Sequence, residues 1–470
     1  MSAAIVWFRR DLRLRDHSAL RAAAAHHDAT IPFFNYSPRK DRTWPVGAAS
    51  RWWLHYSLTR LSDALSKHGL ALIIRQGDVI ENVGDILGAT GAVAVYWNEG
   101  DEPGERADSQ SLSAALRRNG IACHVFYNDG LTTPHALKTS QGGPYRVFTP
   151  FWRNLSAELT PHPPHPVPPL TAHPRALRSV TLDELDLLPK PRWDTGLARS
   201  WTPGEDGAWS RLNTFVHESL SRYSVQRDQP ALTGTSRLSP HLHFGEISAN
   251  AVAWTVRQSD LSGSAPDFIR QLAWREFAHY VLYHFPQTSD QPMDARFQNF
   301  PWRSNYAVEL KCWQRGMTGI PIIDAGMREL WHTGWMHNRV RMIVASFLTK
   351  NLLVPWIEGA RWFWDTLVDA DLANNSMGWQ WVAGCGVDAA PYFRIFNPVT
   401  QGKKFDPQGA YIKRWIPELN AVAPALIHEP WKEHHAGEAA RYPKPLTDLA
   451  ASRLAALAAH AQTRNAPGRR

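Results

Sequence analysis

Between Trp254 and Trp381 the chain carries 11 of its 22 tryptophans, set among helical segments rich in Asn, Asp and Arg. Indole gives up an electron more readily than other side chains and offers a wide face for stacking a heterocycle. The mixture therefore points to redox chemistry beside a planar ligand. Bulky core filling is the plainer reading for any single Trp. Three stripes at helical spacing carry the argument further. Trp335, Asn338, Arg341 and Met342 in WMHNRVRM predict one helix face, and Gln271, Trp274 and Arg275 in RQLAWREF follow i, i+3, i+4. In DADLANNSMGWQW, Asp371, Asn375 and Trp379 align if one helix runs through, and Asp369 is the obvious partner for a buried Arg341. Asn374 and Asn375, with Gln380 between Trp379 and Trp381, predict a cavity wall rather than a packed interior. The alternative for each stripe is a polar network that ties helices together. A fourth segment, GTSRLSPHLHFGEIS at 234–248, offers Thr235, Ser236 and Ser239 as N-cap types. The free N–H groups of a helix start, with Arg237, would make a phosphate site there.

The elements that position these residues fall into two patterns. Over the first 130 residues short apolar runs (4–8, 30–35, 71–75, 92–97, 123–127) alternate with helical ones (18–26, 48–68, 79–89, 105–119). Strands separated by helices predict a doubly wound parallel sheet, an α/β N-terminal domain at 1–130. It contains no GxGxxG and no GxxxxGK[ST]. TPHPPHPVPPLTAHPR, 160–175, is too proline-rich for a helix or a sheet interior and marks an extended surface connector, bounded here as 131–200. From there to the end, 201–470, the periodicity is helical, an all-α C-terminal domain. An Ala-rich amphipathic helix is expected at 446–461, followed by a basic tail at 464–470.

The length suits two or three domains, and 44% hydrophobic with 20% charged residues is the balance of a folded globular protein. A net charge of +8 is a mild bias toward polyanions. Three scattered cysteines supply neither a metal knuckle nor a disulfide framework, and the charged N-terminus is no signal peptide. A cytoplasmic protein that binds no metal and no membrane is expected.

WFRRDLRLRD, GTSRLSPHLHFGEIS, WREF, TGWMHNRVRM, DADLANNSMGWQW and DAAPYFRIFNPVTQGKKFDPQGAYIKRWIPEL together resemble the cryptochrome/photolyase family over essentially the whole chain. The resemblance implies an α/β antenna domain and a helical FAD-binding domain. It implies cleavage of a DNA photoproduct, the cyclobutane pyrimidine dimer, by an electron from photoexcited reduced FAD, in a monomer acting on UV-damaged DNA. By the same resemblance Tyr223, Thr235, Ser236, Arg237, Leu238 and Ser239 hold the phosphates and ribityl chain, while Trp335, Arg341, Asp369, Asp371 and Asn375 surround the ring systems. Asn375 falls at flavin N5, where plant cryptochromes carry Asp. Trp379, Trp356 and Trp302 match the indole chain that returns flavin to its reduced state.

A dimer must leave the duplex stack to reach a flavin. Trp274 and Trp381 are expected to wall its cavity, Asn338 and Met342 to face it, and Arg227, Arg275, Arg339 and Lys404 to meet flanking phosphates. Where (6-4) photolyases place a proton-handling histidine, this sequence has none. Gln271 replaces the Glu usual in dimer photolyases. A blue-light photoreceptor without repair activity, and a photolyase for another photoproduct or for single strands, are the competing functions. Family frequency favours methenyltetrahydrofolate as antenna, with a deazaflavin second.

Overall fold

The computed structural model describes residues 2–37, 44–127, 130–260, 263–389, 393–434 and 437–465. Strands β1 (Ala3–Phe8), β2 (Ala29–Tyr36), β3 (Ile73–Gln76), β4 (Ala94–Asn98) and β5 (Ala122–Phe126) alternate with α1 (Ser18–His26), α2 (Ala48–Ser66), α3 (Val79–Thr90) and α4 (Pro103–Arg118). All pairings are parallel, in the order β3-β2-β1-β4-β5, with Ile5 opposite Ile31 on one side and Val95 on the other. β1 is buried at every position, and its unbroken apolar run is what a strand covered on both faces requires. Trp7, Phe33 and Trp97 pack with Val83, Ile86 and Leu112 in the core of this layer.

The strand order reverses beside β1, the position where doubly wound sheets open a crevice at the strand ends. WFRRD ends β1 at that place. Arg9 pairs with Glu99 at 3.1 Å, Asn98 donates to Asp11 at 2.8 Å, and His17 stands 3.0 Å from Asp11.

Further helices follow in chain order: α5 (Phe148–Glu158), α6 (Thr195–Ser200), α7 (Glu205–Glu218), α8 (Tyr223–Gln226), α9 (Ser239–His243), α10 (Ala249–Ser259), α11 (Ala265–His284), α12 (Ala307–Gln314), α13 (Pro321–Thr333), α14 (Asn338–Ser346), α15 (Trp356–Thr366), α16 (Leu372–Ala383), α17 (Pro398–Phe405), α18 (Ala410–Trp415) and α19 (Leu449–Asn465). A π-helical turn, Phe347–Asn351, continues α14. The segment read as connector thus contains α5 and α6, while its proline-rich part stays free of helix and meets the sheet at a parallel bridge between Thr30 and Ala172. The tail beyond residue 465 lies outside the described residues.

The chain forms two compact units, Met1–Ser221 with Ser236–Pro286, and Arg222–Thr235 with Gln287–Arg470. Helices α7, α10 and α11 therefore belong with the sheet. In that first unit Glu246 of the HFGEIS motif is fully buried and accepts from Trp53 Nε1 (2.9 Å) and the Gly204 N–H (2.7 Å), with His241 against its other oxygen. Gly245 (φ 61°) has no substitute, because a Cβ there would stand 1.9 Å from the Arg10 carbonyl oxygen. No helix among the described residues is long and apolar enough to cross a membrane.

Candidate functional site

In the second unit α13 ends on Gly334, whose φ of 67° turns the chain, and α14 starts only at Asn338. Trp335 consequently lies in the short link and not on the helix face predicted for WMHNRVRM. Asn338 and Met342 keep that face, exposed and half-buried, with the Asn338 amide 4.0 Å from the Met342 sulfur. His337 caps the helix, its Nδ1 accepting the Arg339 N–H at 3.1 Å. Burial holds its pKa down, to about 4, against the pull of Asp228. It is therefore neutral near pH 7, with its proton on Nε2.

Arg341 donates from Nη2 to both oxygens of Asp369 (3.1 and 2.8 Å) and from Nε to the Met336 carbonyl (2.7 Å). Its guanidinium lies 5.9 Å over the Trp335 ring. The ion pair expected for Arg341 thus forms, with the Asp369 side chain buried and the guanidinium partly open.

Asp371 is the N-cap of α16 and accepts the backbone and side-chain N–H groups of Asn374 at 2.8 and 2.7 Å. Asn375 and Trp379 follow one and two turns on, so the predicted stripe is continuous. Asn375 Nδ2 donates to the Ala360 carbonyl of α15 at 3.0 Å, which leaves Oδ1 as an acceptor with no partner among the described residues. Trp379 seats over Gly359, where a Cβ would stand 2.0 Å from its ring. The Gly359–Ala360 pair is the notch that fixes both α16 residues. Its signal was present in IEGARWFW as adjacent small residues.

Trp379 is 2% exposed, and Gln380, equally buried, donates to the Thr288 and Gln291 carbonyls (2.7 and 2.8 Å) and accepts the Met293 N–H (2.9 Å). The polar residue between the two indoles is thus a structural tie in a packed interior, not part of a cavity wall. Trp381 differs. It is half-buried, donates to the Asp388 carbonyl at 3.1 Å, and lines a small pocket with Ser346, Arg394 and Phe396.

Among the described residues, the rings touching Trp379 are Trp313 (6.1 Å between centroids) and Phe363 (5.0 Å). Trp356 opens α15 and is buried, while Trp302 is half-buried against Phe300 at 4.3 Å; neither is in ring contact with Trp379. Trp313 was missed, although it stands in the same Trp-rich stretch. Its indole N–H bonds the Val344 carbonyl at 3.0 Å, whereas the buried N–H of Trp379 has no partner among the described residues.

Elsewhere in the second unit Tyr223 is buried, with the Arg227 guanidinium 5.4 Å above it. Thr235 is half-buried. Arg339 pairs with Asp228 at 2.9 Å and covers Phe405 at 4.5 Å, while Lys404 is exposed, 5.1 Å from the same ring.

In the first unit Gln271, Trp274 and Arg275 share one half-buried face of α11. Phe148 of α5 stacks on Trp274 at 3.6 Å and backs the indole as a platform. Arg275 is engaged with Glu276 at 3.0 Å and the Leu242 carbonyl at 3.4 Å. Ser236, Arg237, Leu238 and Ser239 precede or open α9, a helix of five residues. The capping expected there is not made: Leu238 occupies the N-cap, Ser239 is already inside the helix, and the Ser236 hydroxyl accepts the Leu238 N–H at 3.4 Å. Arg237 takes a left-handed φ of 53°, 5.2 Å over Trp201. An open cleft lies in this unit, lined by Glu99, Asp101, Tyr127, Arg275, Glu276 and His279 among others. Burial raises the Glu276 carboxyl above its ordinary range.

The donor set of the second unit fits a flavin. An open amide oxygen on Asn375 suits a ring N–H, the Arg341–Asp369 pair supplies a cation and acceptors, and an oxidisable indole lies one turn beyond Asn375.

A doubly wound sheet followed by a helical layer with this tryptophan, asparagine and ion-pair set defines a protein built to hold a flavin. Residues 4–170 match the family described as DNA photolyase, and residues 268–462 match the FAD binding domain of DNA photolyase. The chain belongs to the photolyase/cryptochrome family. It is 44% identical over 469 residues to the deoxyribodipyrimidine photo-lyase of Agrobacterium fabrum, covering 97% of each chain. It is 36% identical to cryptochrome-2 of Arabidopsis thaliana, over 98% of this chain and 79% of that one. Among solved structures, a bacterial class III photolyase from Agrobacterium tumefaciens superposes with a TM-score of 0.94 at 43% identity, covering 99% of this chain and 98% of that one.

Proposed function

We propose that this protein splits cyclobutane pyrimidine dimers in DNA by light-driven electron transfer. Bound in reduced form and excited by light, FAD supplies the electron. Asn375 carries the reading: with its amide nitrogen anchored on the Ala360 carbonyl, its oxygen is open to accept from a ring N–H, and it has no acidic proton to deliver. Arg341 and Asp369 orient and charge-match the ring system. Trp379 passes an electron inward, and its packing against Trp313 and Phe363 keeps water away.

For the substrate, Asn338 and Met342 meet the flipped bases, and Trp274, braced by Phe148, stacks on them. The single histidine of WMHNRVRM, His337, is buried and neutral, which supports a dimer over a (6-4) product that needs a proton donor. Arg227 and Lys404 meet phosphates directly, whereas Arg275 and Arg339 exchange a carboxylate for one. The Thr235–Ser239 segment is assigned the phosphates of the cofactor. The cleft near Glu99 and Asp101 suits an antenna chromophore, since a pterin offers an N–H edge to carboxylates; methenyltetrahydrofolate is preferred to a deazaflavin.

Gln271 favours a second reading, a photoreceptor without repair, because an amide cannot protonate a dimer carbonyl. One assay separates the two. FAD-loaded protein is illuminated with an oligonucleotide bearing one thymine dimer, and in parallel with one bearing a (6-4) product. Restoration of the dimer alone, and only in light, supports repair. Flavin-loaded protein inactive on both would overturn it.

A further inference from the structure

A cluster outside all of these residues lies on the proline-rich segment. Asp16, in the loop after β1, and His162 and His165 of HPPH each offer one ligand atom, and these atoms lie within 4.8 Å of one another. We propose that Asp16, His162 and His165 bind one late first-row divalent metal ion, of the Zn²⁺, Ni²⁺ or Cu²⁺ class, which pins the proline-rich segment to the β1–α1 loop.

Four observations support the placement. His162 Nδ1 lies 3.0 Å from the Pro163 carbonyl and 3.4 Å from the Asn250 amide nitrogen, so the ring is held on its Nδ1 side, the second-shell arrangement that orients an imidazole to bind a metal through its other nitrogen. Asn250 fixes the backbone at this residue by accepting the His162 N–H and donating to the His162 carbonyl, both at 3.0 Å. The Asp16 N–H donates to the His165 carbonyl at 2.9 Å, and the His165 N–H donates to Asp16 Oδ1 at 3.2 Å, so loop and segment are already aligned. The Ser248 hydroxyl at the start of α10 donates to Asp16 Oδ2 and holds the carboxylate.

Two borderline imidazoles outnumber the one hard carboxylate, and Arg13 and Arg21 nearby disfavour a hard dication that needs several carboxylates. Metal–nitrogen bonds of about 2.1 Å require ligand atoms about 3.4 Å apart, so no pair of ligand atoms has to close by more than about 1.4 Å. The exposed His162 ring has room to do so. Water would complete the coordination, as at any site with three protein ligands.

The test uses the full-length, flavin-loaded protein after treatment with chelator. Titration with Co²⁺, read by its visible absorption, and with Zn²⁺, by calorimetry, should show one site. His162→Ala and His165→Ala should each weaken it about tenfold or more, without changing flavin content. Zn²⁺ should raise the melting temperature and slow proteolysis at 160–175 in the natural protein and in neither variant. Unchanged stoichiometry and spectrum in both variants, or no binding by the natural protein beyond theirs, would overturn the proposal.

Discussion

Replacing Lys350 by Met should stabilise the protein, and by an amount that depends on pH. Lys350 stands in the π-helical turn, fully buried, and its ammonium has no hydrogen-bond partner among the described residues. Burial pushes its pKa from 10.5 down to about 7. The nearby Cys385 thiol gives no compensating charge, since burial pushes it up to about 12. At about 1.4 kcal/mol per pH unit, holding this charge inside costs about 5 kcal/mol when both folded and unfolded chains carry the proton, below pH 7. The Phe393 ring, 3.1 Å from Nζ, favours the charged form by up to about 2 kcal/mol as a cation–π contact, so the cost lies at about 3–5 kcal/mol. Between pH 7 and 10.5 the unfolded chain binds a proton that the folded one does not, so stability rises with pH and the penalty fades. Lys350→Met should therefore be more stable by about 3–5 kcal/mol at pH 6 and by much less at pH 10. Urea unfolding of both proteins at equal flavin occupancy, at pH 6, 8 and 10, measures this. A variant less stable than the natural protein at pH 6, or a difference independent of pH, would refute the reasoning.

Trp379→Phe should abolish photoreduction of oxidised flavin, because Phe is far harder to oxidise, yet leave repair by chemically reduced protein nearly intact; equal loss of both would show that Trp379 is only a wall. Gly359→Ala must displace the Trp379 ring, so a cost of about 1–3 kcal/mol in chemical unfolding and slowed photoreduction are expected, and unchanged photoreduction would separate the notch from the electron route. Gln271→Glu should raise the repair yield modestly where the new carboxyl is protonated, and less at a higher pH where it ionises and repels the dimer's charge. Quantum yield at two pH values decides this, and a lower yield at unchanged affinity would mean that the pocket is built around Gln.

Much of the fold was legible because strands covered on both faces read as apolar runs. The five in the first 130 residues recur as strands with ends shifted by one or two residues, and α1 spans the predicted Ser18–His26. Three features were hidden for physical reasons. Helices α7, α10 and α11 pack with the sheet unit through contacts such as Phe148 on Trp274, which no local period reveals. Gly334 overrides the helical spacing of Trp335, a single backbone conformation against a side-chain pattern. The π-helical turn and the burial of Lys350 lie in SFLTKN, which reads as ordinary helix with a solvated lysine. At the site, the Arg341–Asp369 pair and the Asp371–Asn375–Trp379 stripe followed from charge and spacing. The capping role of His337, the Gly359–Ala360 notch and the Trp313 contact depend on which elements pack together, and only the fold supplies that.

Splitting a dimer is redox-neutral, so an electron that passes to the dimer must return to the flavin. Protein reduced chemically under argon, with no other electron donor present, is illuminated with an excess of thymine-dimer oligonucleotide, and the dimers split per bound flavin are counted. A returning electron predicts many dimers per flavin in light and none in darkness. One dimer per flavin or fewer under illumination would contradict it.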